Sequence, residues 1–180
     1  NVPVADGGGF FYRPRVSWKE FNKYSEGVIC LTGCMNSPSN HAFVHDTYEE
    51  GKEHVKHMVS VFGEDNTYVE LQRVNDDGKI YIPEQELILA NCRQVAEELG
   101  LRAVATNDGH YVNSSDAFAH EVLKAIDARA TLDTPVLDHA KGVTKGCRIV
   151  FNGFDYYQRS AEEMLTKFTP AEVNMSQEIA

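Results

Sequence analysis

The sequence predicts an α/β fold in which parallel strands alternate with amphipathic helices, and three observations predict it. Short apolar runs at Val28-Ile-Cys-Leu31, Tyr68-Val-Glu-Leu-Gln72 and Ala103 to Ala105 each stop in a polar or glycine-bearing turn. A segment with helical apolar spacing follows each run, so that one strand-helix unit takes about 35 residues, the signature of parallel pairing through right-handed crossovers. Finally, Ser17-Trp-Lys-Glu20, Thr47-Tyr-Glu-Glu50 and Ser160-Ala-Glu-Glu163 carry a hydroxyl at the helix start and a glutamate three residues on, the pattern of a capping box. Three such units make an incomplete sheet or part of a barrel.

Composition narrows the function. The chain has 180 residues, 42% of them hydrophobic, enough for one core of ordinary size. Seventeen basic against 27 acidic side chains leave a formal charge of −10, which argues against a broad basic face for nucleic acid and suits a domain that attracts divalent cations. Cys30, Cys34, Cys92 and Cys147 show neither C-x-x-C spacing nor the density of a disulfide scaffold, so reduced thiols in a cytoplasmic protein are expected. No apolar run approaches the roughly 20 residues of a membrane span.

In chain order, residues 1–16 read as an extended lead-in. Gly7-Gly8-Gly9 lacks the preceding strand and following helix of a phosphate loop, and Phe10-Phe-Tyr-Arg-Pro-Arg15 is broken by proline. The helix opened by Ser17 is expected to close at Gly27. Behind Thr47, Val55, Met58, Val59 and Phe62 form one stripe before Gly63. His54 and His57 on that helix, and His41 and His45 in the loop before it, read as solvated side chains. Asn75-Asp-Asp-Gly78 ends the second strand, and Pro83 starts a helix with Ile88, Cys92, Val95 and Leu99 inward. Ser114-Ser-Asp116 opens another, with Val122, Leu123 and Ile126 inward. Lys141, Lys145 and Arg148 read as a solvated basic turn, and Phe154-Asp-Tyr-Tyr157 as an edge strand.

The chemistry is expected where strands end. Thr106-Asn107-Asp108-Gly109-His110 follows the third strand, and an extended backbone there would turn Asp108 and His110 to one side as oxygen and nitrogen donors. Cys34, in the Thr32-Gly33-Cys34 tip of the first strand, offers sulfur. Carboxyl ends of strands are where open sheets and barrels place their sites.

Six ordered blocks carry a family resemblance: Phe10-Phe-Tyr-Arg-Pro-Arg-Val16, Tyr24-Ser-Glu-Gly-Val-Ile-Cys-Leu-Thr-Gly-Cys34, Tyr68 to Gln72, Val104-Ala-Thr-Asn-Asp-Gly-His-Tyr111, Asp116-Ala-Phe-Ala-His-Glu-Val-Leu123 and Phe154 to Met164. Together they resemble the PHP domain of the bacterial replicative DNA polymerase III α subunit. The resemblance implies a distorted (β/α)7, TIM-like barrel, present here in part. It divides the chain into a lead-in at 1–16, the carboxyl-terminal part of the PHP domain at 17–153, and an edge strand and helix leading towards the polymerase palm at 154–180. It also implies a divalent metal cluster of zinc or manganese held by Cys34, Asp108 and His110, with Asp108 and His110 catalytic in a 3′-to-5′ exonuclease, and magnesium for the parent polymerase. The partners it implies are DNA, a proofreading subunit, a sliding clamp and the amino-terminal half of the PHP domain.

The family's opening His-x-His, with the histidine and glutamate after it, has no counterpart in these residues, and Met35-Asn-Ser-Pro38 replaces the family's Leu-Ala-Gly-Glu. The chain therefore reads as a piece of a polymerase, inactive when alone. Two alternatives are a PHP scaffold without catalysis, contacting polymerase and proofreading partner, and a stand-alone phosphatase of the histidinol-phosphatase type.

Overall fold

A computed structural model describes residues 17–74, 83–136, 148 and 155–180 of the chain. The glycine triplet, the aromatic block before Ser17, the Asn75 to Gly78 break, Lys141, Lys145, Cys147 and Phe154 lie outside the described residues. In order, the elements are α1 (Trp18–Phe21), β1 (Cys30–Leu31), α2 (Pro38–His45), α3 (Tyr48–Phe62), β2 (Thr67–Gln72), α4 (Pro83–Leu99), β3 (Arg102–Thr106), α5 (Ala117–Asp127), α6 (Ala161–Leu165) and α7 (Pro170–Ile179). The strands form one sheet in the order β1-β2-β3, with β1 parallel to β2 and Cys30 opposite Thr67. This bears out the α/β class. The contacts divide the chain into two compact units, one taking the described residues up to Glu70 with Leu87–Ala103, the other those of Leu71–Glu86 and Val104–Ala180.

In the first unit the core gathers Val55 and Met58 of α3, Val69 of β2, and Leu89, Cys92 and Val95 of α4, each 5% exposed or less. The stripe spacing had placed Val55, Met58, Cys92 and Val95 there, whereas Leu89 was in no predicted stripe. The strand β2 departs from its sequence pattern, because Thr67 through Leu71 are all buried and no alternating solvated face exists. Its polar members are structural. The amide of Glu70 donates to Thr32 Oγ1 at 2.9 Å, and its carboxylate accepts the Gly33 N–H at 3.1 Å.

Two helix readings change. The helix α1 is four residues long and does not reach Gly27; Ser17 Oγ accepts the Glu20 N–H at 3.2 Å, but the Glu20 carboxylate turns to Lys23 at 2.9 Å instead of closing the box. The segment read as a loop around His41 and His45 is the helix α2. Ser37 caps it, accepting from the Asn40 N–H at 3.3 Å, and Pro38 occupies its first turn, where a missing N–H costs nothing.

Between α3 and α4, Glu98 receives hydrogen bonds from Lys52, Gln94 and Tyr48. These donors, Lys52 first, hold its carboxyl down to about 2. Because the folded value lies below the ordinary carboxylate range, the contribution to stability is full above that range and is lost as the pH falls towards 2. Carboxyl-resolved NMR should show Glu98 ionised through the interval where exposed glutamates, near about 4.3, take up protons. A midpoint in that ordinary interval would dissolve the network.

In the second unit, α5 buries Ala125 at 3% exposure but leaves Leu123 and Ile126 at 63% and 64%, contrary to their expected inward placement. The helix is apolar on more sides than its neighbours cover. Arg148, expected in a solvated turn, is buried at 6% and binds Glu121 at 2.8 Å, Thr134 O at 3.2 Å and Leu132 O at 3.1 Å. The predicted edge strand contributes one parallel bridge, Tyr111 with Tyr157. Ser160 and Glu163 form the full capping box on α6, and Thr169 and Glu172 form another on α7. Thr169→Ala is therefore expected to cost about 1 kcal/mol, read as a lower denaturant midpoint. No change in midpoint would mean that α7 starts elsewhere.

Candidate metal centre

The first strand's tip is built around two buried polar side chains. Gly33 adopts φ +90°, in the left-handed region that glycine enters without strain. Asn40, 2% exposed, donates through Nδ2 to Gly33 O at 3.1 Å and Cys34 O at 3.0 Å, while its Oδ1 accepts from Cys92 Sγ at 3.3 Å. Every hydrogen-bonding group of that amide is thus used to fix the turn bearing Cys34, which is half-buried. Burial, then the Glu70 charge, pushes the Cys92 thiol to about 12 and the Cys30 thiol to about 11. Both are poor thiolates.

The third tip lies in the second unit. There the backbone does not stay extended: Asp108 has φ +48°, a conformation asparagine and aspartate adopt more readily than other non-glycine residues. The expected projection of Asp108 and His110 to one side therefore loses its premise. A different device orients the histidine. His110 Nδ1 lies 2.6 Å from the main-chain oxygen of Asp108. A carbonyl only accepts, so Nδ1 is the donor in this pair, the kind of outer hydrogen bond that orients a metal-binding imidazole.

The tip is fastened to the segment before α6. The N–H groups of His110 and Tyr111 donate to Tyr156 O at 2.7 and 3.3 Å, the Gln158 N–H donates to Tyr111 O at 3.0 Å, and Asn107 Nδ2 donates to the carbonyls of Asp155 and Tyr157. Burial, followed by the Asp108 charge, pushes the Tyr156 hydroxyl up to about 12, so the carboxylate stands near that ring. The His110 ring meets Tyr156 edge-on at 5.5 Å and His120 of α5 at 5.5 Å. Burial, then the neighbouring His110, lowers the pKa of His120 and favours a neutral imidazole. His120 carries no sequence signal for this site, because its nearness to the tip depends on how α5 packs and not on local spacing.

Asp108 and His110 thus share one tip, and Cys34 belongs to the other unit. Among the described residues, no three His, Cys, Asp or Glu side chains form a group able to hold a metal ion. His54 and His57 are exposed, as expected, with the His57 ring against Trp18 at 4.8 Å. The rings of His41 and His45 on α2 lie 4.5 Å apart, tilted at 48° to each other.

Residues 4–74 match the family model of the PHP domain. Along most of its length the chain is also similar to DNA polymerase III α subunits: 37% identical to that of Aquifex aeolicus across 69% of the chain, 32% to that of Thermus aquaticus across 91%, and 30% to that of Campylobacter jejuni across 96%. The chain belongs with the PHP-bearing DNA polymerase III α subunits. It spans 10%, 12% and 14% of the length of these three α subunits. No helix among the described residues is long and apolar enough to cross a membrane. The PHP match ends at residue 74, just past β2, so the third tip is carried by the similarity to the polymerases and not by the domain match.

Proposed function

We propose that this chain is the carboxyl-terminal part of the PHP region of a replicative DNA polymerase III α subunit, and that the longer protein removes 3′-terminal nucleotides with divalent metals at these tips. The observation that carries this reading is the third tip itself, where the His110 ring is held through Nδ1 by the carbonyl of Asp108 at 2.6 Å, which puts an imidazole and a carboxylate on one turn. At the third tip, oxygen from Asp108 and imidazole from His110 are donor types that suit zinc or manganese, and the Cys34 sulfur of the first tip is a further donor of the family's kind. When bound, divalent cations would supply a water of lowered pKa and neutralise phosphate oxygens. The chain's own part is to orient His110, to carry the Asp108 charge on the same tip, and to hold the turn of Cys34 through Asn40 and Glu70. DNA, the proofreading subunit and the sliding clamp would be partners of the longer protein, which would work in the cytoplasm with magnesium at its polymerase site.

The lack of any three-ligand group among the described residues favours a second reading, in which the region is a scaffold without chemistry. A 5′-labelled primer incubated with the longer protein separates the two. Release of mononucleotides in manganese but not in EDTA supports the nuclease. A protein that extends primers, contains no metal and leaves 3′ ends intact is the scaffold.

A further inference from the structure

Helix α2 carries two histidines that the tips do not use. His41 and His45 stand four residues apart, about one turn, so both leave the same face of the helix. Both are exposed, and their ring centres lie 4.5 Å apart. No hydrogen bond or ion pair among the described residues engages either ring. The other histidines among the described residues differ. His54 and His57 are three apart with the His57 ring against Trp18, and His110 and His120 belong to the third tip.

Two histidines at this spacing are how a helix grips a transition metal, because successive turns bring two ring nitrogens to one point. With metal–nitrogen bonds of about 2.0–2.1 Å, two rings on one cation have centres roughly 4.5–5.2 Å apart as the angle at the metal widens from square to tetrahedral. The observed separation lies at the narrow end of that interval. Since both side chains are exposed, rotation of the rings turns a nitrogen of each inward without displacing a neighbour. We propose that α2 holds a divalent transition metal, nickel, copper or zinc, between His41 and His45, with water in the remaining positions. Imidazole suits these cations, whereas calcium and magnesium call for oxygen ligands. The formal charge of −10 on the chain favours the approach of any cation.

The site has a consequence for the first tip. Asn40, next to His41, is the residue whose amide fixes the carbonyls of Gly33 and Cys34. The helix that presents it is eight residues long with a half-polar buried side, Ser39, Asn40, Ala42 and Phe43, so it has little stability of its own. A metal that clips position 41 to position 45 holds that turn of helix closed and keeps Asn40 on the Cys34 turn. Occupancy of α2 thereby steadies a tip that the metal does not touch. The inference goes beyond the nuclease reading and stands without it.

Calorimetric titration of the chain with nickel chloride and with zinc chloride, near neutral pH, tests the site. One saturable site with Kd on the order of 10 μM is expected, weakened at least about tenfold by His41→Gln and by His45→Gln. Both positions are exposed, so without metal each variant should melt as the wild type does. At free nickel a hundredfold above Kd the wild type should melt about 5 °C higher, and neither variant should. Saturation with zinc should also move the Asn40 side-chain amide in NMR spectra. The double variant Cys34→Ser with His110→Ala should bind nickel as the wild type does. Absence of saturation, undiminished affinity in both single variants, loss of nickel binding in the double variant, or an Asn40 amide that does not move overturns the proposal. A metal held by two imidazoles leaves on exhaustive dialysis, so metal content measured after dialysis reports on the tips alone and the two readings fail separately.

Discussion

Asp108→Asn in the longer polymerase is expected to reduce metal-dependent 3′-to-5′ exonuclease activity by at least about a hundredfold in kcat/KM, roughly 2.7 kcal/mol of transition-state stabilisation, while primer extension continues. The substitution is nearly isosteric, and asparagine tolerates the φ of +48° at this position as aspartate does, so the tip should keep its shape. What changes is one negative charge beside His110 and Tyr156. A carboxylate can bridge two cations and balance their charge, whereas a neutral amide does so poorly. Parallel assays of labelled-primer degradation and extension measure both activities. Undiminished degradation would remove Asp108 from the chemistry.

Gly51→Ala is expected to destabilise the first unit by about 2 kcal/mol. Glycine inside α3 looks like a defect, since alanine is the better helix former by about 1 kcal/mol. The packing reverses that preference. A Cβ at position 51 would lie 2.2 Å from Cδ1 and 2.3 Å from Cε1 of Phe43, a ring 5% exposed and stacked on Tyr48 at 5.7 Å. Such overpacking costs about 1–3 kcal/mol, and more where the ring cannot turn aside. Thermal melts should show a lowered midpoint, largely recovered when Phe43→Leu is added. A raised midpoint would mean that α2 does not lie on α3 as described.

Local patterns revealed the elements whose stabilising contacts are local. The stripe of α3, the cap at Ser160, the spacing of Ile88, Cys92 and Val95, and the apolar runs of β2 and β3 all announce themselves within a few residues. The helix α2 did not, because its buried members Ser39, Asn40, Ala42 and Phe43 are half polar and leave no apolar stripe. Its one signal was Ser37-Pro38, an N-cap followed by a first-turn proline. Asn40 and Glu70 were hidden for a different reason. Their hydrogen bonds reach Cys92, 52 residues on, and Gly33, 37 residues back, and a polar residue that becomes buried through such distant partners carries no local mark. The same holds for Arg148, read from the sequence as solvated charge but bound to Glu121, Leu132 and Thr134. At the site, the residue types were legible and the backbone was not. The D-x-H spacing suggested a shared side on extended chain, whereas the left-handed turn at Asp108 replaces that arrangement with a carbonyl that orients the imidazole.

The proposed role of His110 as a metal ligand is decided by elemental analysis of the longer protein, wild type beside His110→Ala, after exhaustive dialysis against metal-free buffer. Stoichiometric zinc or manganese is expected in the wild type and clearly less per chain in the variant, with both proteins folded. Equal metal content in the two, or a wild type that degrades primers while holding no metal, would remove His110 from the chemistry.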